Sequence, residues 1–583
     1  MAYKGTIGKT NFVLGEVSPR LLGRFDADKP IFKNGAAILE NMLIAQSGGV
    51  LFRPGTQFIA EVKDSANKVR LERFVYSIAQ EYVLEIGNLY MRFFADLGQV
   101  LSAPSTPLEI VTVFAQADIF DLEMANKADV MYIVHPSYPP QKLIRTSSTS
   151  FTIAAVNFVR GPFLDDNLTA TTITPSADTG AGITLTASTA IFQSGHVGAL
   201  WRVKGGVVKI TAFTNSTHVT GDVQAEADGT AGNLGTGPAA VTDWAEGAFS
   251  AVRGYPSAVT FHEQRLVYGG TTYQPQTLFA SVVAAYDDFD KGKAQDDDAW
   301  IYEIASEVVN GIRWLSSDVS LKIGTSGGTV TAASQGTAGI TPSSPPNITF
   351  DTDYGVMHTQ ALKLGGFIFY LQANKFNLRQ LSFDLIVNKD KSNDLNLLAD
   401  HILRDGQGAV QMARQQSPNN RIWIIRGDGQ IAVITHNPEQ QVTGWCRIIG
   451  GESDFTTTCN GLDGGFETIA VLPIDGEDDQ VWVVCQRLIN GTYKRFVEVF
   501  TDELFDDYWQ PVRVDSSLSL DNPVAITHIT NADPVVVTAP AHGFSNGDQV
   551  KITGVLGLNG ALNDQVFTIA NVTVNTFSLQ IAT

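Results

Sequence analysis

Residues 408–450, GAVQMARQQSPNNRIWIIRGDGQIAVITHNPEQQVTGWCRIIG, read as four short strands in succession. The strand segments are GAVQMARQ, RIWIIR, GQIAVIT and GWCRIIG, and SPNN, Asp428-Gly429 and HNPEQQ break them. Asp-Gly and Asn-Gly pairs accept the positive φ angles of a two-residue hairpin. RIWIIR is apolar on both alternating faces, as a strand is when its sheet is covered on both sides. A four-strand meander with both faces covered is the unit of a β-propeller blade.

The unit recurs. Downstream, FETIAVLPI, QVWVVCQR and TYKRFVEVF are separated by DGEDD and Asn490-Gly491, and upstream GFIFYLQANKFNLRQLSF begins at Gly366. The most hydrophobic strands start at 366, 421 and 480, spacings of 55 and 59 residues. Looser copies fall at 71–94, 118–145, 257–281 and 308–333. The expectation is a mainly β chain with a propeller-like body of about six or seven blades. The competing architecture is a β-sandwich, for which the length is unusually great.

At 583 residues the chain is long enough for about three or four domains. Its 44% hydrophobic content supports sizeable cores, and 17% charged residues with 53 glycines make a turn-rich β composition. The net charge of −20 argues against a protein that grips nucleic acid by neutralising phosphates. Cys446, Cys459 and Cys485 form no CxxC pair and are expected as buried thiols. No signal-peptide core and no run of about 18 apolar residues is present, so synthesis without a leader and without membrane insertion is expected.

Texture divides the chain. Residues 1–60 form an N-terminal arm in which IFKNGAAILENMLIA, after Pro30, is expected as a helix. Blades follow over 61–164. A Thr/Ala/Gly-rich insertion at 165–250, anchored by Trp201, is expected as a platform-like β module, and blades resume over 251–520. The patch at 325–350 is expected as a long exposed loop. Residues 521–583 are expected as a small β-barrel-like module with strands AITHIT, PVVVTAP, DQVKITG, QVFTIANV and TFSLQIA.

No segment advertises chemistry. The acidic clusters Asp287/Asp288/Asp290, Asp296–Asp298, Glu477–Asp479 and Asp502/Glu503/Asp506/Asp507 could supply paired carboxylates, but turn clusters more commonly serve solubility. None matches a calcium-loop pattern. His135, His196, His262, His401 and His542 lack zinc spacing. GTSGGTV at 324–330 lacks the Lys-Ser/Thr of a phosphate loop and reads as a hairpin turn. Tyr508 and Trp509 could stack on sugar rings or belong to a core. No catalytic residue, metal site or cofactor is assigned.

One stretch carries a family likeness. NFVLGEVSPRLLGRFD at 11–26 and ENMLIAQSGGVLFRPGTQFIA at 40–60 resemble the tail tubular protein B, or nozzle, family of short-tailed bacteriophages. The matching positions are Gly15, Glu16, Ser18, Pro19, Gly23, Arg24, Asp26, Asn41, Gly48, Gly49, Arg53, Pro54 and Gly55. Residues 261–290 and 399–410 resemble it more loosely. The C-terminal NADPVVVTAPAHGFSNGDQVKITGV and TVNTFSLQ are similar to the FCCH β module, without any ubiquitin chemistry following. The resemblance implies a virion protein assembled as a homo-oligomeric ring, a hexamer, at the distal end of the tail. Its implied partners are the tail adaptor and tail fibres or receptor-binding proteins, with genome DNA passing through unbound. Nozzle proteins continue beyond such a module, so the distal part is either missing here or compact. An acidic lumen would repel the phosphate backbone and let DNA slide. The alternative is a host-surface polysaccharide-binding protein or depolymerase of the virion.

Overall fold

Strand Arg421–Arg426 divides its side chains between two neighbouring sheets. Ile422 and Ile424 pack with Phe369 and Leu371 on one side, while Trp423 and Ile425 pack with Ile469, Val481 and Val483 on the other. The same division operates in Gln480–Ile489, where Val481 and Val483 face one way and Trp482 and Val484 the other. Full burial of one such side chain stabilises the fold by about 1.5–3 kcal/mol.

The computed structural model describes residues 11–22, 33–77, 80–103, 106–226, 229–235, 237–335, 339–450, 465–503, 513–517, 524–540, 542–552, 555, 562 and 565–580. Two compact units are present, Met1–Ser517 and Leu518–Thr583. The first unit contains seven antiparallel sheets that are the blades of a propeller. Their innermost strands are Arg70–Ser77, Glu123–Lys127, Ala258–His262, Ile312–Ser317, Leu362–Leu364, Ala409–Gln415 and Gly465–Leu472, in blades one to seven.

Seven apolar cores alternate with the sheets. Phe74 and Phe93 meet Met131 and Phe151 between blades one and two, and Tyr132 and Val134 meet Tyr268 and Phe279 between two and three. Val267 and Trp300 meet Leu321 and Ile323 next, and Trp314 meets Ile368 and Tyr370 between four and five. The circuit closes where Trp482, Val484 and Val497 of blade seven pack on Leu71, Val83 and Phe94 of blade one.

Closure also uses the N-terminus. Thr56–Glu61 pairs antiparallel with Thr492–Phe500 and supplies the outermost strand of blade seven. Gly15–Glu16 adds parallel to Val442–Ile448 on the outside of blade six, and Gly35–Ala36 adds parallel to Gly15–Glu16. The helix expected over 31–45 is therefore corrected: Gly35–Ala36 and Met42–Ile44 are strands. Asn41 between them has φ 53°, incompatible with a continuous right-handed helix, and its backbone N–H bonds to the Arg447 carbonyl at 2.8 Å.

A six-stranded sheet built from Ile173–Pro175 to Trp244–Glu246 lies between blades two and three in the chain. Trp201 is buried in its core beside Phe192 and Trp244. The expected loop at 325–350 differs from the structure: Thr329–Ala333 and Asn347–Thr352 are the outer strands of blade four. The second unit is a five-stranded sheet in the order His528–Ile529, Val536–Thr538, Thr576–Gln580, Val566–Ala570, Gln549–Lys551, around Val537, Ile569 and Phe577.

Candidate functional site

The described positions of the nozzle-like signature lie in the N-terminal segment that leads into the closing strand Thr56–Glu61. Gly15 has φ +62°, and a Cβ there would stand 2.3 Å from the Trp445 backbone nitrogen. Only a residue without a side chain lets this strand join blade six. Glu16, fully buried, accepts from the Leu39 N–H at 2.9 Å and from Arg447 Nε at 3.1 Å, and lies 2.8 Å from His401 Nε2. Burial alone would raise the Glu16 carboxyl, but His401, Arg447 and the Leu39 N–H outweigh it and hold the group below its ordinary value. Ser18 and Pro19 open the short helix Pro19–Leu22, with proline at the first helical position where its missing N–H leaves no bond unmade.

Asn41 Oδ1 accepts from Arg53 Nε at 2.9 Å and from the Ile449 N–H at 3.0 Å, tying the arm to the end of blade six. Gly48, at φ +86°, and Gly49 form the turn between Met42–Ile44 and Val50–Phe52. Arg53 Nη1 also donates to the carbonyl of Pro54 at 2.9 Å. A Cβ on Gly55 would stand 2.2 Å from the Val514 carbonyl oxygen. Gly23, Arg24 and Asp26 lie outside the described residues.

Several members of the acidic clusters form pairs and caps. Asp287 accepts from Tyr132 Oη at 2.9 Å and Lys142 Nζ at 2.6 Å, while Asp288 and Asp290 both pair with Arg160. Asp296 accepts from Ser343, and Asp298 caps the N–H groups of Lys293 and Gln295. Asp478 and Asp479 hold the Gln416–Ser417 turn, and Glu503 pairs with Arg421. Asp506, Asp507, Tyr508, Trp509 and Cys459 lie outside the described residues. His196 joins Glu246, and His262 Nδ1 lies 2.8 Å from Ser317 Oγ. Among the described residues, no group of three or more His, Cys, Asp or Glu side chains is placed to hold a metal ion.

Another constellation escaped the sequence because its members are hundreds of residues apart. The seven innermost strands and the turns beside them surround an axial cavity of about 670 Å³. Small residues on four of these segments, Ala125, Ala361, Ala413 and Ala470, leave the space open. Gln411 staples its wall: its amide donates to the Leu71 carbonyl at 3.0 Å, and its oxygen accepts from Thr468 Oγ1 at 2.6 Å. Five charged side chains line it, Arg70, Glu72, Arg73, Lys363 and Arg414. Arg70 is engaged, donating to the carbonyls of Ile119, Phe120 and Leu122 and pairing with Glu72 at 2.8 Å.

Arg73, Lys363 and Arg414 differ from Arg70. Among the described residues no carboxylate lies within 4.0 Å of any of them. Arg414 donates to the Lys363 carbonyl, bringing blades five and six together at this point. Burial drives the Arg414 guanidinium down to about 10; the neighbouring charge of Arg73 adds to the drop and Asp479 opposes it. Partial desolvation of its ammonium likewise lowers Lys363, exposed as the residue is overall, with Asp318 opposing and Arg414 adding. Nearby Glu81, with neither carboxylate oxygen hydrogen-bonded, is raised to about 7 by burial, against the pull of Arg73 and with the push of Asp479.

No known family model matches the chain, and no curated protein matches its sequence. Similar solved structures include the RRP9 WD40 repeats, at 8% identity and TM-score 0.35, covering 77% of this chain and 98% of that one. The Neurospora crassa Pan2 WD40 domain is similar at 10% identity and TM-score 0.27, covering 66% of this chain and 89% of that one. Chaetomium thermophilum Raptor is similar at 8% identity and TM-score 0.30, covering 66% of this chain and 29% of that one. The seven-bladed assignment rests on the strand order and the seven interfaces described above.

Proposed function

We propose that this chain is a structural protein of a short bacteriophage tail, a subunit of the ring at the distal end through which DNA is ejected. The observation that carries the reading is the N-terminal signature, whose described positions from Gly15 to Gly55 belong to the segment that leads into the closing strand Thr56–Glu61. A likeness concentrated in residues that fasten the N-terminal segment to blade six and to Asp515 fits a protein used as a rigid building block. Identical subunits related by a closing rotation make a ring. The −20 net charge supports a passage that DNA traverses without adhering. The reading asks no bond-making of the chain, and takes the tail adaptor and the fibres or receptor-binding proteins as its partners.

Electron microscopy of intact particles labelled with antibody against this protein tests location and symmetry together. Label at the tail tip, and a purified assembly of six times 62.9 kDa, are expected. Label absent from the virion overturns the reading. Release of reducing sugar ends from host capsule by the purified protein would favour the depolymerase alternative.

A further inference from the structure

The axial cavity carries a charge opposite to that of the molecule. The chain has 60 acidic and 40 basic side chains, yet four of the five charged groups lining the cavity are cationic. Among the described residues the one lining carboxylate, Glu72, is taken by Arg70. Three cations are left, Arg73 from blade one, Lys363 from blade five and Arg414 from blade six, converging from separate blades.

Elsewhere the fold pairs several of its arginines with carboxylates, and gives buried Arg265 and Arg379 neutral oxygen acceptors instead. Arg421 meets Glu503, Arg487 meets Glu498 and Arg495 meets Glu467. Half-buried guanidinium groups held near one another without an anion are unfavourable by desolvation and by mutual repulsion. An incoming anion relieves both, and planar guanidinium forks match carboxylate and phosphate oxygens two at a time. Several other polar groups of the wall are already engaged: Gln360 donates to the Met124 carbonyl, Asn126 accepts from the Val75 N–H, and Ser317 meets His262.

We infer that the axial cavity is an anion-binding site that takes a compact ligand presenting a carboxylate or phosphate group to Arg73, Lys363 and Arg414. Its volume falls within the roughly 300–1,000 Å³ typical of small-molecule sites. Asp318 and Asp479, close enough to perturb Lys363 and Arg414, disfavour a long polyanion and leave room for one anionic group on a small body. The inference is independent of the tail reading: a tail protein that binds no anion would leave that reading standing, and the reverse also holds.

Isothermal titration calorimetry on the full chain at low ionic strength, with citrate in one arm and pyrophosphate in the other, tests it. One-site binding of at least one anion is expected, weakened about tenfold by Lys363→Gln or Arg73→Gln, and unchanged by Lys209→Gln in the inserted sheet. Citrate alone binding assigns the site to carboxylates, and pyrophosphate alone to phosphates. Lys363 is exposed and its ammonium holds no partner among the described residues, so Lys363→Gln remains informative if Arg73→Gln misfolds. Absence of binding by both anions, or affinity unaltered by Lys363→Gln, overturns the inference.

Discussion

Arg53 and Asp515 stand 462 residues apart in sequence and meet in a two-point ion pair, Nη1 to Oδ1 at 2.6 Å and Nη2 to Oδ2 at 2.7 Å. Their side chains are 11% and 14% exposed, so the pair sits largely out of water. Removing one partner of a buried pair leaves an uncompensated charge and costs about 3–5 kcal/mol. Partial exposure places Asp515→Ala toward the lower end, about 3 kcal/mol, with Arg53→Ala comparable or larger because Asn41 also loses its donor. Urea unfolding of the full chain checks this; a loss below about 0.5 kcal/mol, the range of ordinary surface changes, contradicts it.

Gly15 provides a test without any charge. Its φ of +62°, and the mere 2.3 Å that would separate an added methyl from the Trp445 backbone, leave no space for alanine. Gly15→Ala is expected to destabilise by about 3 kcal/mol or more, through strain and backbone displacement together. Thermal melting compared with Gly476→Ala, where a Cβ meets nothing within 4 Å but φ is also positive at +78°, separates crowding from backbone strain.

Glu123 makes stability fall as pH rises. Burial raises its carboxyl from 4.5 to about 8, with Arg70 opposing and Glu72 and Asp121 adding. Below the unfolded value both states are protonated; between the two values only the unfolded chain ionises, which favours unfolding; above about 8 the deficit is constant. Glu123→Gln is therefore expected to stabilise the chain at about pH 9 and to leave it unaltered at about pH 4. Denaturant melts at the two pH values give the answer, and an equal effect at both would falsify the assignment.

The thiols of Cys446 and Cys485 are expected to be inert in the native state. Burial pushes Cys446 up to about 12 and raises Cys485 further still, so neither supplies thiolate near neutrality. Ellman labelling of native protein should detect no thiol beyond Cys459, and denaturant should release all three. Native labelling that drops in a Cys446→Ser/Cys485→Ser variant would show that these two are accessible.

Blades five to seven were legible because their second strands, beginning at Phe367, Arg421 and Gln480, are apolar on both faces and flanked by tight turns. Blade four was not. Thr329–Ala333 looks like low-complexity loop, yet the blade's small residues answer a large neighbour: a Cβ on Gly324 would stand 2.1 Å from the Trp314 ring. Periodicity cannot register a glycine selected by a tryptophan ten residues earlier. In the arm, helix-forming residues at 36–45 are overridden by pairing with blade six and by Asn41, a tertiary demand that local propensity does not contain. Arg73, Lys363 and Arg414 carry no local motif at all, because only the circular arrangement of blades brings them together.

Thr56 donates to Glu498 at 2.5 Å across 442 residues of chain. On a ribosome adding about 5–20 residues per second, the early strand waits on the order of 20–90 s before its partner emerges. Throughout that interval nascent Thr56–Glu61 has an unpaired hydrogen-bonding edge, and six blades must remain soluble as an open arc. Translation speed and chaperone supply in the producing cell thus govern the yield of closed subunits, and a pause after residue 465 would prolong the vulnerable period.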